Sequence, residues 1–203
     1  MRPKRMGLSK QRLARALPMM AAFVVIAALV SALYANGGAH AFAGDAVAEP
    51  DGYRTDNYRS AVPRTLTGAV SVPMPDAAKS LRDAGAVFID VYPRAPKPPN
   101  LPAATVWREP PHRSIPGAYW LPNVGYGNIS EEMAGYFARA LERFSAGRKD
   151  MPMVFFCLSD CWMSWNAAKR AMAMGYTAVH WFPDGTDGWE LIGEPLTNLT
   201  PVP

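Results

Sequence analysis

Two cysteines, Cys157 and Cys161, are the residues whose type and spacing predict chemistry in this chain, and the sequence contains no other cysteine. In its thiolate form a cysteine is a nucleophile, a metal ligand and a partner in disulfide exchange. A disulfide between residues four apart would close a short loop, so it would add little stability through chain entropy. The spacing therefore favours a reactive pair over a purely structural disulfide.

The elements that must position this pair are a strand and a helix. The apolar run at residues 153–156 predicts a buried strand that ends directly before Cys157. A helix is expected from Trp165 to Met174. Open α/β sheets keep their chemistry at the carboxyl ends of strands, and the free amides of a helix N-terminus favour a thiolate. The alternative for Cys157 is a buried cysteine without a role. The residues predicted to line the site are those of the loop: Leu158, Ser159, Asp160, Trp162, Met163 and Ser164.

Strands and helices alternate along the rest of the sequence. Strands are predicted near residues 69–72, 86–91, 118–121 and 178–181, and helices at 77–84, 130–145 and 189–192. Asp76 is the expected N-cap of the first helix. A long proline-rich loop is expected at 93–111, with His112 as a loop residue and His180 as a strand residue. The alternation predicts an α/β fold with a central, mostly parallel sheet and helices on both faces.

The chain is expected to have three parts. Residues 1–43 have the basic start, apolar stretch and A-x-A sites of a secretory signal peptide. An uncleaved membrane anchor is the alternative, because the apolar stretch is close to the length that spans a bilayer. Residues 44–75 are interpreted as an N-terminal extension that packs on the domain formed by residues 76–203. In both cases the domain lies outside the cytoplasm, where disulfides form.

The charge distribution argues against nucleic-acid binding. The formal net charge is +4, but six of the 21 basic residues and none of the 17 acidic residues precede residue 44. Without residues 1–43 the chain has 15 basic and 17 acidic residues, a net charge of −2. Nucleic-acid binding needs a basic face on the folded domain, so no nucleic-acid partner is expected. Contact with a membrane is expected only if the leader is retained.

Several short motifs occur in an order typical of a known family. They are Ile89-Asp90-Val91, Ser114-Ile115-Pro116-Gly117-Ala118, Phe156-Cys157, Ala167-Ala168 through Met174-Gly175-Tyr176, and Asp184-Gly185 through Trp189. By these motifs the chain from about residue 76 onward resembles the rhodanese-like domains. The resemblance implies a rhodanese-like fold and a sulfurtransferase activity. In that activity Cys157 would carry sulfane sulfur as a persulfide, and the backbone amides of the loop would hold its charge.

A narrower resemblance extends into the N-terminal extension. It rests on Tyr53-Arg54, Tyr58-Arg59, Pro63, Thr65-Leu66-Thr67-Gly68-Ala69 and Cys157…Cys161-Trp162. These residues are similar to the CXXCW-motif proteins associated with PQQ-dependent catabolism. The resemblance implies a periplasmic accessory protein in bacteria that oxidise alcohols with quinoprotein dehydrogenases. The partner would then be a component of such a dehydrogenase system, or a small sulfur donor or acceptor.

The sequence departs from the usual rhodanese pattern around the cysteines. The loop from Cys157 to Ser164 is one residue longer than in common single-domain members, and Tyr92 stands where the family often has arginine. The loop contains Asp160 and has no Arg or Lys before Lys169. A carboxylate there would repel thiosulfate and raise the pKa of the cysteine.

Three functions therefore stay open. The first is sulfur transfer through a persulfide on Cys157, and the second is thiol–disulfide exchange by both cysteines. The third is non-catalytic binding of copper or a cofactor by the two thiolates with Met163, His112 or His180. No residue is assigned as a metal ligand, and no resident cofactor is predicted. The protein is thus a sulfurtransferase, a thiol–disulfide oxidoreductase or a binding protein without catalytic activity.

Overall fold

A computed structural model of the chain describes residues 47–102 and 104–203, and the predicted leader lies outside them. The elements in chain order are β1 (Val70–Ser71), α1 (Pro75–Asp83), β2 (Val87–Asp90), β3 (His112–Ser114), β4 (Tyr119–Trp120), α2 (Glu131–Ser145), β5 (Met153–Phe156), α3 (Trp162–Ala173), β6 (Val179–Phe182), α4 (Gly185–Leu191) and β7 (Thr197–Leu199). None of the described helices combines the length and the apolar character needed to cross a bilayer.

The centre of the fold is a five-stranded parallel sheet in the order β1-β6-β5-β2-β4. β3 and β7 form a separate antiparallel pair. Asp90 at the end of β2 pairs in register with Phe156 at the end of β5. The residues that follow these two strands therefore meet at one edge of the sheet, where parallel sheets carry their sites.

Helices cover both faces of the sheet. One apolar cluster joins one face to α2 and α3, through residues such as Phe137, Phe155 and Trp165. The other joins the opposite face to α1 and α4, through residues such as Ala78 and Trp189. Strands buried on both faces read as continuous apolar runs, which is why the sequence reveals β2 and β5. The prediction of an α/β fold with a mostly parallel sheet and helices on both faces is confirmed.

Several predicted details need correction. The N-cap of α1 is Met74 rather than Asp76, because Pro75 already occupies the first helical turn. α3 begins three residues earlier than predicted, since Trp162 already has helical backbone. His112 lies in strand β3 rather than in a loop. The short helix near the C-terminus starts at Gly185 rather than at residue 189.

Candidate functional site

The two cysteines lie side by side at the carboxyl edge of the sheet. Cys157 directly follows β5, and Cys161 is the N-cap residue of α3. Both thiols are free, and the Cys157 Sγ–H donates to Cys161 Sγ over 2.7 Å. Each cysteine is only 1% exposed. Three residues separate the two cysteines, and their conformation brings both sulfurs to one point.

Helix α4 and the turn before it hold the cysteine loop in place. The Cys157 carbonyl accepts a hydrogen bond from the Thr186 N–H at 2.9 Å. Leu158 forms an isolated bridge with Gly185. Gly185 has φ of +51°, and a Cβ there would lie 2.1 Å from the Cys157 carbonyl oxygen. Only glycine combines this backbone conformation with so close an approach.

The predicted loop residue Ser159 contributes to the same attachment. Its backbone N–H donates to Asp187 Oδ2 at 3.0 Å, and its hydroxyl donates to the Asp184 carbonyl at 2.9 Å. Leu158 and Ser159 are half-buried, whereas Asp160 is exposed and has a left-handed φ of 51°. Ser159 therefore fixes the loop, and Asp160 lies at its outer surface.

The two cysteines have opposite pKa shifts. Burial raises the pKa of Cys157 well above its ordinary value, and its hydrogen bond to Cys161 and the charges of Cys161 and Asp90 act in the same direction. The Cys157 S–H donor lowers the pKa of Cys161 to about 7 and outweighs burial, which raises it, while the Met163 amide and the charge of Arg59 add smaller lowering contributions. One proton is therefore shared by the pair, and Cys161 carries the thiolate.

The expectation for Asp160 is corrected by the position of the carboxylates. The one that raises the pKa of Cys157 is Asp90, which is fully buried at the end of β2. Its Oδ2 lies 2.7 Å from His112 Nε2 and accepts from the Ser114 hydroxyl. The charge of Asp160 instead raises the pKa of Asp184, after burial of that residue.

Trp162, Met163 and Ser164 form the first turn of α3 rather than a loop. They are 2%, 2% and 0% exposed, respectively. The Ser164 hydroxyl donates to the Cys161 carbonyl at 3.0 Å and accepts from the Trp181 indole N–H at 3.0 Å. These residues are buried around the cysteines, so they position the site and offer little surface to a ligand.

Residues 47–68, here called the strap, lie along α3. Asn166 donates to the Arg54 carbonyl at 2.8 Å and accepts from the Arg54 N–H at 2.9 Å. Lys169 Nζ donates to the carbonyls of residues 50, 51 and 52 at 2.8–3.0 Å. The Trp165 indole donates to the Thr65 carbonyl at 3.2 Å. One face of the helix thus binds the extension by polar bonds as well as by packing.

The strap also reaches the cysteines. Arg59 forms an isolated antiparallel bridge with Cys161, and the Trp162 N–H donates to the Tyr58 carbonyl at 2.9 Å. The charge of Arg59 lowers the pKa of Cys161. A cation therefore does act on the site, but it comes from the extension and not from the loop. Tyr58-Arg59 is one of the motifs on which the narrower resemblance rests. No local sequence pattern, however, links these two residues to Cys161.

Tyr126 is a neighbour of the site that sequence reasoning missed. The charge of Cys161 raises its pKa, after burial and the influence of Tyr58. Tyr126 meets Tyr58 edge to face, with ring centroids 5.2 Å apart. Its loop is held by Arg170, whose buried guanidinium donates to the carbonyls of Val124, Tyr126 and Gly127 at 2.6–3.1 Å. Tyr126 thus lies beside Tyr58 and close enough to Cys161 for the charge of that cysteine to act on it.

The two histidines considered as copper ligands do not complete a metal site with the cysteines. His112 is bonded to Asp90, and His180 lies on β6 with a buried Nδ1 that has no hydrogen-bond partner. In residues 47–102 and 104–203, no group of three or more His, Cys, Asp or Glu side chains could hold a metal. The two histidines therefore do not join the thiols in a metal site within the described residues.

Comparison with known proteins gives a remote structural likeness. No protein-family model matches the chain, and no curated protein matches it. The rhodanese-like domain of an Anabaena protein is similar, with a TM-score of 0.42, 15% identity and coverage of 68% of this chain and 87% of that chain. A Rhodopseudomonas palustris protein of unknown function, described as a possible tyrosine phosphatase, has a TM-score of 0.40, 18% identity and coverage of 68% and 100%. Likenesses this remote carry no argument about chemistry.

Proposed function

We propose that this is a rhodanese-like thiol-redox protein, in which Cys157 and Cys161 interconvert between a dithiol and a disulfide. The observation that carries the proposal is the 2.7 Å approach of the two free sulfurs, with the proton on Cys157 and the charge on Cys161. A thiolate next to a second thiol is the arrangement that thiol–disulfide exchange requires.

The reaction follows from the pKa difference. The Cys161 thiolate attacks one sulfur of a partner disulfide, which forms a mixed disulfide and releases the other partner sulfur as a thiolate. Cys157 then loses its proton and attacks Cys161 Sγ, which releases the second partner thiolate and leaves the Cys157–Cys161 disulfide. Two electrons pass to the partner, and the reverse sequence oxidises it.

Sulfur transfer through a lasting persulfide on Cys157 has less support. Burial raises the pKa of Cys157, so at neutral pH it is a thiol and a weak nucleophile. A persulfide on either sulfur would also lie against the other cysteine. Attack by that cysteine on the sulfur bound to the protein would release hydrosulfide and form the disulfide. The second cysteine therefore discharges the intermediate that a sulfurtransferase must keep.

The biological setting of the proposal comes from the narrower sequence resemblance. The resemblance implies a periplasmic accessory to PQQ-dependent alcohol oxidation, and the leader of residues 1–43 would be the export signal. The partner would be a component of the quinoprotein dehydrogenase system. The contact of Tyr58-Arg59 with Cys161-Trp162 joins two of the motifs on which the narrower resemblance rests.

The redox state of the pair tests the function. The full-length protein is equilibrated in glutathione buffers of graded redox potential, quenched with an alkylating reagent and analysed by mass spectrometry. We expect loss of two hydrogens in a single transition, with the bond mapped to Cys157–Cys161. Cys161→Ser should not react with a peptide disulfide, and Cys157→Ser should stop at the mixed disulfide.

Two results would contradict the proposal. One is a pair that stays reduced at every potential. The other is formation of thiocyanate from thiosulfate and cyanide that depends on Cys157 and persists in Cys161→Ser. A Ser80→Ala variant on α1 serves as a control for handling, since that hydroxyl donates to the Asp76 carbonyl within the same helix.

A further inference from the structure

The part of the strap that seals the cysteines is attached differently from its two ends. On the N-terminal side, Asn166 and Lys169 hold residues 50–54. On the C-terminal side, Trp165 bonds to the strap and Leu66 is only 2% exposed. Residues 55–61, here called the lid, span the interval between these anchors. Movement of the lid away from the cysteines would therefore break its own bonds but not those of the two anchors.

The lid is held by four hydrogen bonds and by the packing of Tyr58 against the core. Its backbone bond to α3 is Trp162 N–H to the Tyr58 carbonyl, and the Trp162 indole donates to the Ser60 hydroxyl and the Ala61 carbonyl at 3.1 Å. The Tyr58 hydroxyl accepts from the Gly127 N–H at 3.1 Å. Three of these four bonds are made by Trp162, the residue after Cys161.

The register of the lid places Arg59 where a disulfide could form. The bond from Trp162 to Tyr58 makes Arg59 and Cys161 a non-hydrogen-bonded antiparallel pair. Cα atoms in such pairs lie about 4.5 Å apart. Disulfides need Cα atoms roughly 4.4–6.8 Å apart. A cysteine in the position of Arg59 would thus meet Cys161 at bonding range.

We propose that the lid occupies the docking position of an extended segment of a partner protein, whose disulfide-bonded cysteine replaces Arg59 opposite Cys161. This inference rests on the proposed thiol-redox function, and it names the class of substrate: a strand-forming polypeptide rather than a small disulfide. The docked segment repeats the backbone bond to Trp162 that Tyr58 makes in the closed state.

The chemistry of the docked state balances without a further reagent. The Cys161 thiolate forms a bond to the cysteine in the Arg59 position, and the disulfide of the partner breaks. The second partner sulfur leaves as a thiolate and takes its proton from water. Cys157 then completes the exchange as described above.

The charged residues near the cysteines predict the net charge of the partner segment. The exposed Asp160 precedes Cys161 and acts electrostatically on the half-buried Asp184. The lid presents Arg59 on this side of the site. A partner segment that replaces Arg59 leaves the negative charges of the loop in place, so the preferred segment has basic residues beside its cysteine.

Tyr58 is the contact that a partner segment would have to replace. Its ring packs edge to face on Tyr126 at 5.2 Å, and such a pair is worth about 0.5–1.5 kcal/mol beyond its buried area. Tyr58→Ala should therefore open the lid more often. Tyr119→Ala is the matched control, because it removes a tyrosine from the edge strand β4. The Tyr119 ring stacks on Phe144 with ring centroids 3.8 Å apart.

The first experiment tests the register alone. The double variant Arg59→Cys with Cys157→Ser is prepared as the full-length protein and oxidised in air. We expect an intramolecular disulfide between the introduced thiol and Cys161, found by peptide mapping. Two free thiols, or only intermolecular disulfides, would overturn the proposed docking position. This result does not depend on whether the native pair is redox-active.

The second experiment tests docking in the Cys157→Ser background. The probes are a basic peptide and an acidic peptide of equal length, each with one cysteine as a mixed disulfide with thionitrobenzoate, and the small reagent dithiobis(nitrobenzoate). Release of thionitrobenzoate reports attack by Cys161. We expect the basic peptide to react faster than the acidic one. Tyr58→Ala should increase the reaction rate of the basic peptide by up to about tenfold. The reaction rate of the small reagent should increase less.

The outcomes separate the two proposals. Equal acceleration of peptide and small reagent would show that the lid is only a steric cover, and an unchanged peptide rate would show that it does not open for a partner. Either result overturns the docking inference and leaves the redox pair intact. If the peptides react as expected but wild-type protein never forms Cys157–Cys161, the docking surface stands and the redox function fails.

Discussion

Replacing Cys157 by alanine removes the thiol proton that stabilises the Cys161 thiolate. The Cys157 S–H is the largest cause of the lowered pKa of Cys161, and burial acts against it. Without this donor, burial opposes the remaining effects of the Met163 and Leu158 amides and of Arg59. We therefore expect the pKa of Cys161 in Cys157→Ala to return from about 7 towards its ordinary value of 9.0.

The expected rate change combines two opposite effects. At pH ~7 a rise of the pKa of Cys161 from about 7 to 9.0 lowers its thiolate fraction about 50-fold. A more basic thiolate is also a better nucleophile. With a Brønsted coefficient of about 0.4–0.5, the rate constant of the thiolate rises roughly six- to tenfold. The net prediction is an attack on a small disulfide that is about five- to eightfold slower at pH ~7. At pH ~10, where both proteins are ionised, the variant should be roughly six- to tenfold faster.

The assay is the initial rate of thiol release from hydroxyethyl disulfide between pH 5 and pH 10, with the mixed disulfide mapped to Cys161. The rate profiles of the two proteins should cross as the pH rises. Cys157→Ser is the conservative control, because its hydroxyl still donates to Cys161 and should keep the pKa closer to 7 than alanine does. Identical profiles for wild type and Cys157→Ala would refute the shared-proton arrangement.

Three further substitutions test the supports of the site. Gly185→Ala should destabilise the protein by about 3 kcal/mol in urea unfolding, because the new Cβ collides with the Cys157 carbonyl at a left-handed backbone position. Asn166→Ala should lower the free energy of unfolding by about 2–3 kcal/mol in the same measurement. The substitution leaves the backbone groups of Arg54 and the carbonyl of Gly125 without their partner. Arg59→Gln should raise the pKa of Cys161 and slow disulfide attack about twofold at pH ~7, a smaller effect than that of Cys157→Ala.

Each of these predictions has a matched control. Gly147→Ala also places a side chain at positive φ, but its Cβ would meet nothing within 4 Å, so equal costs at both glycines would contradict the collision argument. The exposed Asn198 controls for Asn166, and similar losses at both positions would argue against anchoring of the strap. Arg64→Gln changes the same charge elsewhere on the strap, and an equal shift in reactivity would show that the position of Arg59 is unimportant.

The sequence reveals the part of this site that lies close together along the chain. The apolar run of β5 and the helix after it place Cys157 at a strand end, as predicted. The start of α3 is harder to predict, because its N-cap residue is Cys161 and cysteine is not a favoured N-cap residue. β3 and β7 have only three residues each and no apolar alternation, so no periodicity indicates them.

What the sequence does not reveal depends on distant pairing. Arg59 and Cys161 are 102 positions apart, and the roles of the two cysteines follow from burial and from the direction of one hydrogen bond. From position alone, Cys157 is the expected nucleophile. In the folded protein, burial raises the pKa of Cys157, so Cys161 and not Cys157 carries the thiolate charge.

The bonds between the strap and α3 also bear on how the protein reaches its native state. They join residues that are 100 to 119 positions apart. Contacts between such distant parts of a chain form late, because closing the long intervening loop costs entropy. During each folding event we therefore expect an interval in which the sheet and α3 exist while the strap is still detached. In that interval both sulfurs are open to oxidants, and the native protein acquires its first redox state from the compartment in which it folds.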